Sequence, residues 1–165
     1  MQTCYLLLGS NLGNKKSNLL TATAFINDQI APVVKASSLY QTAPWGFSSE
    51  ERFLNQALEI KAIVSPEELL IRLLETEKTF GRERIPGAGY QSRALDADIL
   101  FYGNQIISTE TLILPHPRLH LRRFALVPMN ELAPDFLHPV LGKSMAQLLA
   151  DCDDKLEVEL LKSND

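Results

Sequence analysis

The hydrophobic residues of the chain follow two patterns, one typical of strands and one typical of helices. A short apolar run over residues 4–8 ends at Gly9 and predicts a buried strand. From Lys15, apolar residues recur at helical spacing until Pro32, which predicts a helix that the proline ends. Residues 33–39 then predict a second strand.

Strict alternation is clearest over residues 53–64. Leu54 and Leu58 fall on one face of the predicted strand, whereas Phe53 and Asn55 fall on the other. The first face has the apolar character of a core. The second face carries an aromatic ring beside a carboxamide and is a candidate for ligand binding.

A helix is predicted directly after this strand. Ser65 suits the N-cap position, Pro66 the first turn and Glu68 the third position of a capping box, and Gly81 ends the pattern. Glu77 falls at the edge of the apolar stripe of this helix.

The C-terminal third predicts shorter elements. Residues 102–105 resemble a two-residue hairpin turn that leads into a strand at 106–107. A short helix is predicted over 124–132, interrupted at Pro128, and a last helix with a second capping box begins at Ser144.

The order of the predicted elements indicates the fold class. Up to Tyr102 it is strand, helix, strand, strand, helix, strand, which is the split βαβ, ferredoxin-like arrangement. We therefore expect an α+β fold with a mainly antiparallel sheet, helices on one side and additional C-terminal elements. A length of 165 residues with 45% hydrophobic content predicts one domain over residues 1–165.

Charge and cysteine content narrow the possible functions. A net charge of −4 and a pI near 5.4 argue against a general nucleic-acid binder, which needs a basic surface. Cys4 and Cys152 lack metal-ligand spacing and are expected to be reduced thiols of a cytoplasmic protein. The apolar run at residues 4–8 is too short for a signal peptide or a membrane span, so no membrane partner is expected.

Residues 93–102 carry a pair of acids on a predicted strand. Leu95 and Ala97 face one way, and Asp96 and Asp98 face the other, about 7 Å apart by the usual rise per residue. Two acids on the same face of a strand repel each other, so a positive charge is expected near them. Magnesium is a candidate, since it is typically held by one or two carboxylates together with water and phosphates. The alternative is a solvated face on which both acids are hydrated.

Candidate phosphate-binding segments flank this strand. Residues 81–93 combine arginines with glycine and proline, and residues 114–124 add more positive charge and an aromatic ring. Guanidinium groups beside paired carboxylates suit phosphates bridged by a metal. The glycines at 9–13 lack the spacing of a Walker motif, which favours turn chemistry there.

Aromatic residues indicate a site for a flat ring. Residues 40–47 contain proline and glycine, which exclude regular structure, and Trp45 in this loop can either cover a heterocycle or pack onto the domain. Phe53 and Asn55 can stack on a ring and hydrogen-bond to its edge. Alternatively, Phe53 joins a second buried face and Asn55 caps a turn.

Six segments together resemble the 6-hydroxymethyl-7,8-dihydropterin pyrophosphokinase family of folate biosynthesis. The resemblance runs in order over nearly the whole chain, and its most specific element is Leu-Asp-x-Asp-Ile with the paired arginines upstream. The segments are Gly9-Ser10-Asn11-Leu12-Gly13, Ser38-Leu39-Tyr40-Gln41-Thr42-Ala43-Pro44, Phe53-Leu54-Asn55, Gly81-Arg82-Glu83-Arg84, Arg93-Ala94-Leu95-Asp96-Ala97-Asp98-Ile99 and Pro115-His116-Pro117-Arg118.

The resemblance implies an enzyme that transfers pyrophosphate from ATP to the hydroxymethyl group of the pterin, giving AMP and the pterin diphosphate. It implies a monomer that uses ATP as co-substrate and two Mg²⁺ ions held by Asp96 and Asp98. The implied catalytic residues are Arg82, Arg93, Asp96 and Asp98. The implied ATP-binding residues are Glu77, Arg82, Arg84, Arg93, Ile99, His116 and Arg122. The implied pterin-binding residues are Thr42, Ala43, Pro44, Trp45, Phe53, Asn55 and Phe124.

Alternatives remain for individual residues and for the whole chain. Glu77 is equally suited to be a surface acid, and His116 on its own favours a structural hydrogen bond. Many relatives carry Arg-Trp-Gly-Pro before the arginine matched by Arg93, whereas this chain has a longer segment ending in 89–92, Gly-Tyr-Gln-Ser. Another metal-dependent nucleotidyl transferase or phosphohydrolase, and a ferredoxin-like binding module without catalysis, are the competing hypotheses.

Overall fold

Residues 1–42, 52–81 and 93–162 are described by a computed structural model. Within these ranges, the strands form a six-stranded sheet and a separate two-stranded sheet. The strands are, in chain order, β1 (Gln2–Ser10), β2 (Val33–Ala36), β3 (Tyr40–Thr42), β4 (Phe53–Ala62), β5 (Asp96–Tyr102), β6 (Ile107–Ser108), β7 (Ile113–Leu114) and β8 (Val158–Leu160). The helices are α1 (Lys15–Gln29), α2 (Pro66–Thr79), α3 (Arg123–Leu132) and α4 (Met145–Asp151), with a 3-10 helix at Leu119–Leu121.

The larger sheet has the predicted ferredoxin-like topology. Its strand order is β5-β1-β4-β3-β8, with β2 also paired to β4, and all of these pairs are antiparallel. Helix α1 connects β1 to β2, and α2 connects β4 to β5, so that each crossover skips the strand between its ends. As a result, the carboxylate-bearing strand β5 lies directly beside β1.

Each face of the sheet is covered by its own helices. Leu6 of β1 and Leu58 of β4 are fully buried in a core cluster that also contains residues of α1 and α2. Tyr5, Leu7 and Ala57 point to the opposite face and pack with α3 and α4. The first face is the predicted helical side, and the additional C-terminal elements cover the second. No helix in the three described ranges is both long and apolar enough to cross a membrane.

The predicted helix starts are confirmed. The Ser65 side chain accepts a hydrogen bond from the backbone N–H of Glu68 at the start of α2, with Pro66 in the first turn. Ser144 and Gln147 form a reciprocal capping box at the start of α4. These side chains satisfy backbone donors that have no partner within the helix.

The turn predicted after β5 is present, but the predicted pairing of the next strand with β5 is wrong. The turn itself is present, since Gln105 donates its N–H to Tyr102 O at 3.1 Å and Gly103 has a φ of 54°. However, β6 pairs with β7 and not with β5. Strand β5 is already paired with β1 on one side, and on the other side Leu100 O accepts a hydrogen bond from His116 N–H.

Two further boundaries differ from the prediction. The predicted strand at 33–39 ends at Ala36, and β3 covers residues 40–42, for which no regular structure was predicted. Both strands pair with β4, and between them the Ser37 N–H donates to Ala57 O while the Ser37 hydroxyl accepts the Ala57 N–H. Helix α3 is not interrupted at Pro128, which is buried inside it. A proline removes one backbone donor, and here the tertiary packing keeps the helix intact.

Candidate functional site

Asp96 and Asp98 lie on the same face of β5, as the alternation predicts. Asp96 is paired with Gly9 of β1 and Asp98 with Leu7, and both acids are partly exposed. The intervening Ala97 is buried on the opposite face. Because β5 is the terminal strand of the described sheet, the two carboxylates stand side by side near a sheet edge.

The side chain of Arg93 forms an ion pair with the first of these two acids. Its Nη1 lies 3.3 Å from Asp96 Oδ1, and its side chain is only 9% exposed. The Arg93 backbone is held by Asn11, which donates its N–H to Arg93 O at 2.9 Å and accepts the Arg93 N–H on Oδ1 at 2.6 Å. The position of Arg93 therefore depends on the turn that follows β1.

Glu77 is a buried acid and not the surface group that was its alternative. Only 2% of the residue is exposed, and its Oε1 accepts a hydrogen bond of 3.0 Å from the N–H of Ala97. Ala97 lies between Asp96 and Asp98. Glu77 thus attaches α2 to the outer edge of β5 at the acid pair.

His116 is a neutral hydrogen-bond donor. Its Nδ1 accepts the backbone N–H of Arg118 at 3.1 Å, so that in the neutral ring the proton is on Nε2. Burial, and then the charge of Arg122, lower the pKa of His116 to about 4, although Asp96 acts in the opposite direction. At neutral pH the ring therefore offers an uncharged N–H beside a basic group.

Arg122 and Phe124 are adjacent where α3 begins. The Arg122 guanidinium carbon lies 5.5 Å from the centre of the Phe124 ring, and Arg122 is 5% exposed. Helix α3 packs on the sheet face that carries Ala57, and Asn55 shares that face by alternation along β4. Phe124 thus starts a helix on the same side of the sheet as the predicted ring-binding residues.

The predicted ring-binding residues of β3 and β4 converge at Gly9. Asn55 is 4% exposed and donates from Nδ2 to the Thr42 hydroxyl at 3.0 Å. A Cβ placed on Gly9 would come within 2.9 Å of Asn55 Oδ1, 3.8 Å of Phe53 and 3.9 Å of the Asp96 Cβ. The side chains predicted to bind the ring therefore lie around the same glycine as Asp96, a predicted metal ligand.

One predicted site residue can contribute only its backbone, and others lie outside the described ranges. Ile99 has a side chain in the core on the opposite face from Asp98, so only its backbone can contact a ligand on the site face. The residues that lie outside the described ranges are Ala43, Pro44, Trp45, Arg82 and Arg84, together with the atypical segment 89–92.

The acid pair suits a metal that is shared with a substrate. Among the described residues, no group of three or more His, Cys, Asp or Glu side chains could hold a metal ion. Two carboxylates do not make a complete structural site, but they match the hard oxygen ligands of magnesium when phosphates and water complete its shell. The donor set therefore fits magnesium bound together with a nucleotide.

Asn11 is the residue of this site whose role the sequence did not reveal. It is 1% exposed and forms two hydrogen bonds with the backbone of Arg93, 82 residues away along the chain. The sequence signal was an asparagine in a glycine-rich turn directly after a buried strand. Asparagine and glycine are common in ordinary turns, so this signal did not distinguish a functional role.

Comparison with known proteins identifies the family of this chain. Residues 5–134 match the family model described as 7,8-dihydro-6-hydroxymethylpterin-pyrophosphokinase (HPPK). A 2-amino-4-hydroxy-6-hydroxymethyldihydropteridine pyrophosphokinase of Aquifex aeolicus is 36% identical over 148 residues, covering 89% of this chain and 90% of that protein. The enzyme of the same name from Bacillus subtilis is 41% identical over 129 residues, covering 78% of this chain and 76% of the relative.

Longer proteins contain a similar segment. The folic acid synthesis protein fol1 of Pneumocystis carinii is 37% identical over 166 residues, and this chain spans 22% of its length. A crystal structure of a Plasmodium falciparum HPPK-DHPS triple mutant matches 90% of this chain and 44% of that chain with a TM-score of 0.74. At 16% identity, that structural match supports the fold alone. The family model and the relatives from Aquifex and Bacillus show that this chain belongs to the 7,8-dihydro-6-hydroxymethylpterin-pyrophosphokinase family.

Proposed function

We propose that this chain transfers the terminal diphosphoryl group of ATP to the hydroxymethyl oxygen of 6-hydroxymethyl-7,8-dihydropterin, giving AMP and the pterin diphosphate. The observation that carries this proposal is the convergence at Gly9. Phe53 and Asn55, the proposed ring-binding pair, and Asp96 approach the same glycine from the two strands that flank β1. A flat acceptor and a metal-bound triphosphate would thus be held next to each other.

The reaction depends on alignment more than on covalent chemistry by the protein. The acceptor oxygen attacks the β-phosphorus of ATP, the bond from that phosphorus to the bridging oxygen of AMP breaks, and the proton of the alcohol passes to solvent. Such transfers are catalysed mainly by positioning and by neutralising charge on the phosphates. Both functions can be assigned to residues of this site.

Asp96 and Asp98 would hold Mg²⁺, with two ions expected from the family resemblance. When bound, magnesium neutralises phosphate charge and lowers the pKa of the acceptor alcohol. The two carboxylates could bind the ions together because both project from the same face of β5. Glu77 keeps this segment in place through its hydrogen bond to Ala97.

Basic and neutral donors would bind the polyphosphate. Arg93 lies beside Asp96 and would stabilise charge as it develops during transfer. His116 would donate an uncharged N–H, and the buried Arg122 would supply a fixed positive charge. Arg82 and Arg84 are assigned to the same group by the family resemblance alone.

The pterin would lie against the second half of the site. Asn55, oriented by Thr42, would hydrogen-bond to the edge of the ring, while Phe53 and Phe124 would contact its faces. The assignment of Ala43, Pro44 and Trp45 to the same ring rests on the resemblance. If the chain were a related transferase with a different acceptor, the product of the reaction would not be the pterin diphosphate.

Broader properties complete the proposal. We infer that residues 1–165 act as one domain and as a monomer, without a nucleic-acid partner, in agreement with the net charge of −4. Cys4 and Cys152 are both free, which supports a reducing compartment such as the cytoplasm.

Substitution of the acid pair tests this proposal. With ATP, MgCl2 and the pterin, Asp96→Ala and Asp98→Ala are each expected to lower AMP formation by about three orders of magnitude, because charge neutralisation is lost. Asp28→Ala, which removes an exposed acid on α1, is the control and should keep full activity. Full activity in both site variants would contradict the metal assignment, and failure of the wild type to form AMP would contradict the reaction.

A further inference from the structure

The turn after β1 contains a buried asparagine that has no assigned role in the proposed reaction. Asn11 is 1% exposed, although it lies in a glycine-rich turn between β1 and α1. Buried side-chain amides are costly unless they are hydrogen-bonded, so a buried asparagine in a turn needs a partner. Here that partner is the backbone of Arg93.

The two hydrogen bonds extend the sheet beyond its regular end. The paired residues of β1 and β5 end with Gly9 opposite Asp96. Beyond this pair, Asn11 N–H donates to Arg93 O at 2.9 Å, and Asn11 Oδ1 accepts from Arg93 N–H at 2.6 Å. The side-chain oxygen thus replaces the backbone carbonyl that a continuing strand would offer, which is a property of asparagine in turns.

This replacement fixes a functional arginine. Both backbone polar groups of Arg93 are bonded to one residue, and the Arg93 side chain extends to within 3.3 Å of Asp96. Leu95, between them, is fully buried and limits movement of the connecting chain. Asn11 and the buried Leu95 therefore restrain the backbone from which the Arg93 side chain extends toward Asp96.

We propose that Asn11 is a positioning residue for the transfer reaction and acts through Arg93. This inference rests on the proposed function, because it assigns Arg93 to the phosphates. Loss of the Asn11 side chain would leave the Arg93 N–H without its acceptor and would allow its backbone to shift. A displacement of about 1 Å in a group that aligns a reaction can cost about 100-fold in rate.

A matched control is available in the same turn. Asn14 is also an asparagine whose side chain accepts a backbone N–H, but its partner is Ser17 at the start of α1. Asn14→Ala therefore removes an equivalent hydrogen bond without touching Arg93. It is expected to lower the melting temperature and to leave the turnover number unchanged.

The test compares Asn11→Ala, Asn11→Asp, Asn14→Ala and Arg93→Ala, each alone, and the double variant Asn11→Ala with Arg93→Ala. Turnover is followed as AMP formed with the pterin, and ATP affinity is measured by calorimetry with MgCl2 in the absence of pterin. Asn11→Ala should lower kcat about 10- to 100-fold and weaken ATP binding, with the KM for pterin within about twofold of wild type. Asn11→Asp keeps the acceptor oxygen and should recover most of the loss of kcat. This variant therefore tests the proposal even if Asn11→Ala folds poorly.

The double variant decides whether Asn11 acts through Arg93. In the Arg93→Ala background, Asn11→Ala should cause no further loss, since the group that it positions is absent. Multiplicative losses, an equal loss of kcat in Asn14→Ala, or no recovery in Asn11→Asp would each overturn the positioning role. Absence of AMP formation by the wild type would instead contradict the proposed function, and the two failures are thereby distinguished.

Discussion

Glu77 Oε1 accepts a hydrogen bond of 3.0 Å from the backbone N–H of Ala97, the residue between Asp96 and Asp98. An acid on α2 therefore supports the strand that carries the proposed metal ligands, from the outer edge of the sheet. The bond is buried, so its loss cannot be fully replaced by solvent.

Replacement of Glu77 tests this support. Glu77→Ala leaves the Ala97 N–H without its acceptor and should lower the free energy of unfolding by about 1–3 kcal/mol, with a clear loss of turnover. Glu77→Gln keeps a side-chain oxygen and should be closer to wild type in both properties. Urea unfolding and AMP formation are the measurements.

The control for Glu77 is an acid on the same helix. Glu75 is exposed, and Glu75→Ala should leave stability within about 0.5 kcal/mol of wild type. If Glu77→Ala is as stable and active as Glu75→Ala, the support of β5 by α2 has no energetic importance.

Gly9→Ala should weaken pterin binding selectively. An added Cβ would come within 2.9 Å of Asn55 Oδ1, so the carboxamide would have to move away from its position. Gly9 does not have a positive φ, and the backbone can therefore accommodate alanine. We expect the KM for pterin to rise about tenfold, equivalent to about 1.4 kcal/mol, with ATP affinity unchanged.

A double-mutant cycle separates this effect from general damage to β1. In an Asn55→Ala background the obstructed carboxamide is absent, and Gly9→Ala should add little to the KM for pterin. A tenfold rise that persists without the Asn55 carboxamide would show that Gly9 acts through another contact.

Stability should fall as the pH is lowered below about 6.5, the ordinary pKa of histidine. His138 is 5% exposed, and its Nδ1 accepts the N–H groups of Val140 and Leu141 at 3.2 and 3.1 Å. Burial, followed by the charge of His120, lowers the pKa of His138. The unfolded chain therefore binds more protons than the folded chain below this pH, which favours unfolding.

The His138 contribution can be measured by urea unfolding between pH 5 and 8. His138→Asn retains an acceptor without a titrating ring and should flatten the slope by up to about 1.4 kcal/mol per pH unit. Part of the remaining pH dependence comes from His116, whose pKa is lowered to about 4. An unchanged slope in His138→Asn would contradict this assignment.

Local patterns were sufficient for much of the fold and for placing several candidate site residues on a common strand face. Period-two alternation placed Asp96 and Asp98 on one face and Phe53 and Asn55 on one face, because successive side chains of a strand must point in opposite directions. Capping chemistry placed the start of α2 at Ser65 for an equally local reason.

Contacts between distant segments were not predictable in this way. The bond of Asn11 to Arg93 and that of Glu77 to Ala97 depend on how a turn and a helix meet β5 in three dimensions. The hairpin prediction failed for the same reason. A turn sequence specifies the reversal at Gly103, but the pairing of the next strand depends on which sheet edge is accessible.

Phosphorus NMR of the complete reaction tests the central claim most directly. Wild-type protein is mixed with ATP, MgCl2 and 6-hydroxymethyl-7,8-dihydropterin, and every phosphorus-containing product is identified. We expect AMP and pterin diphosphate in equal amounts, without ADP, because the β-phosphorus is attacked. ADP with a pterin monophosphate, or AMP with free pyrophosphate and unchanged pterin, would contradict diphosphoryl transfer by this chain.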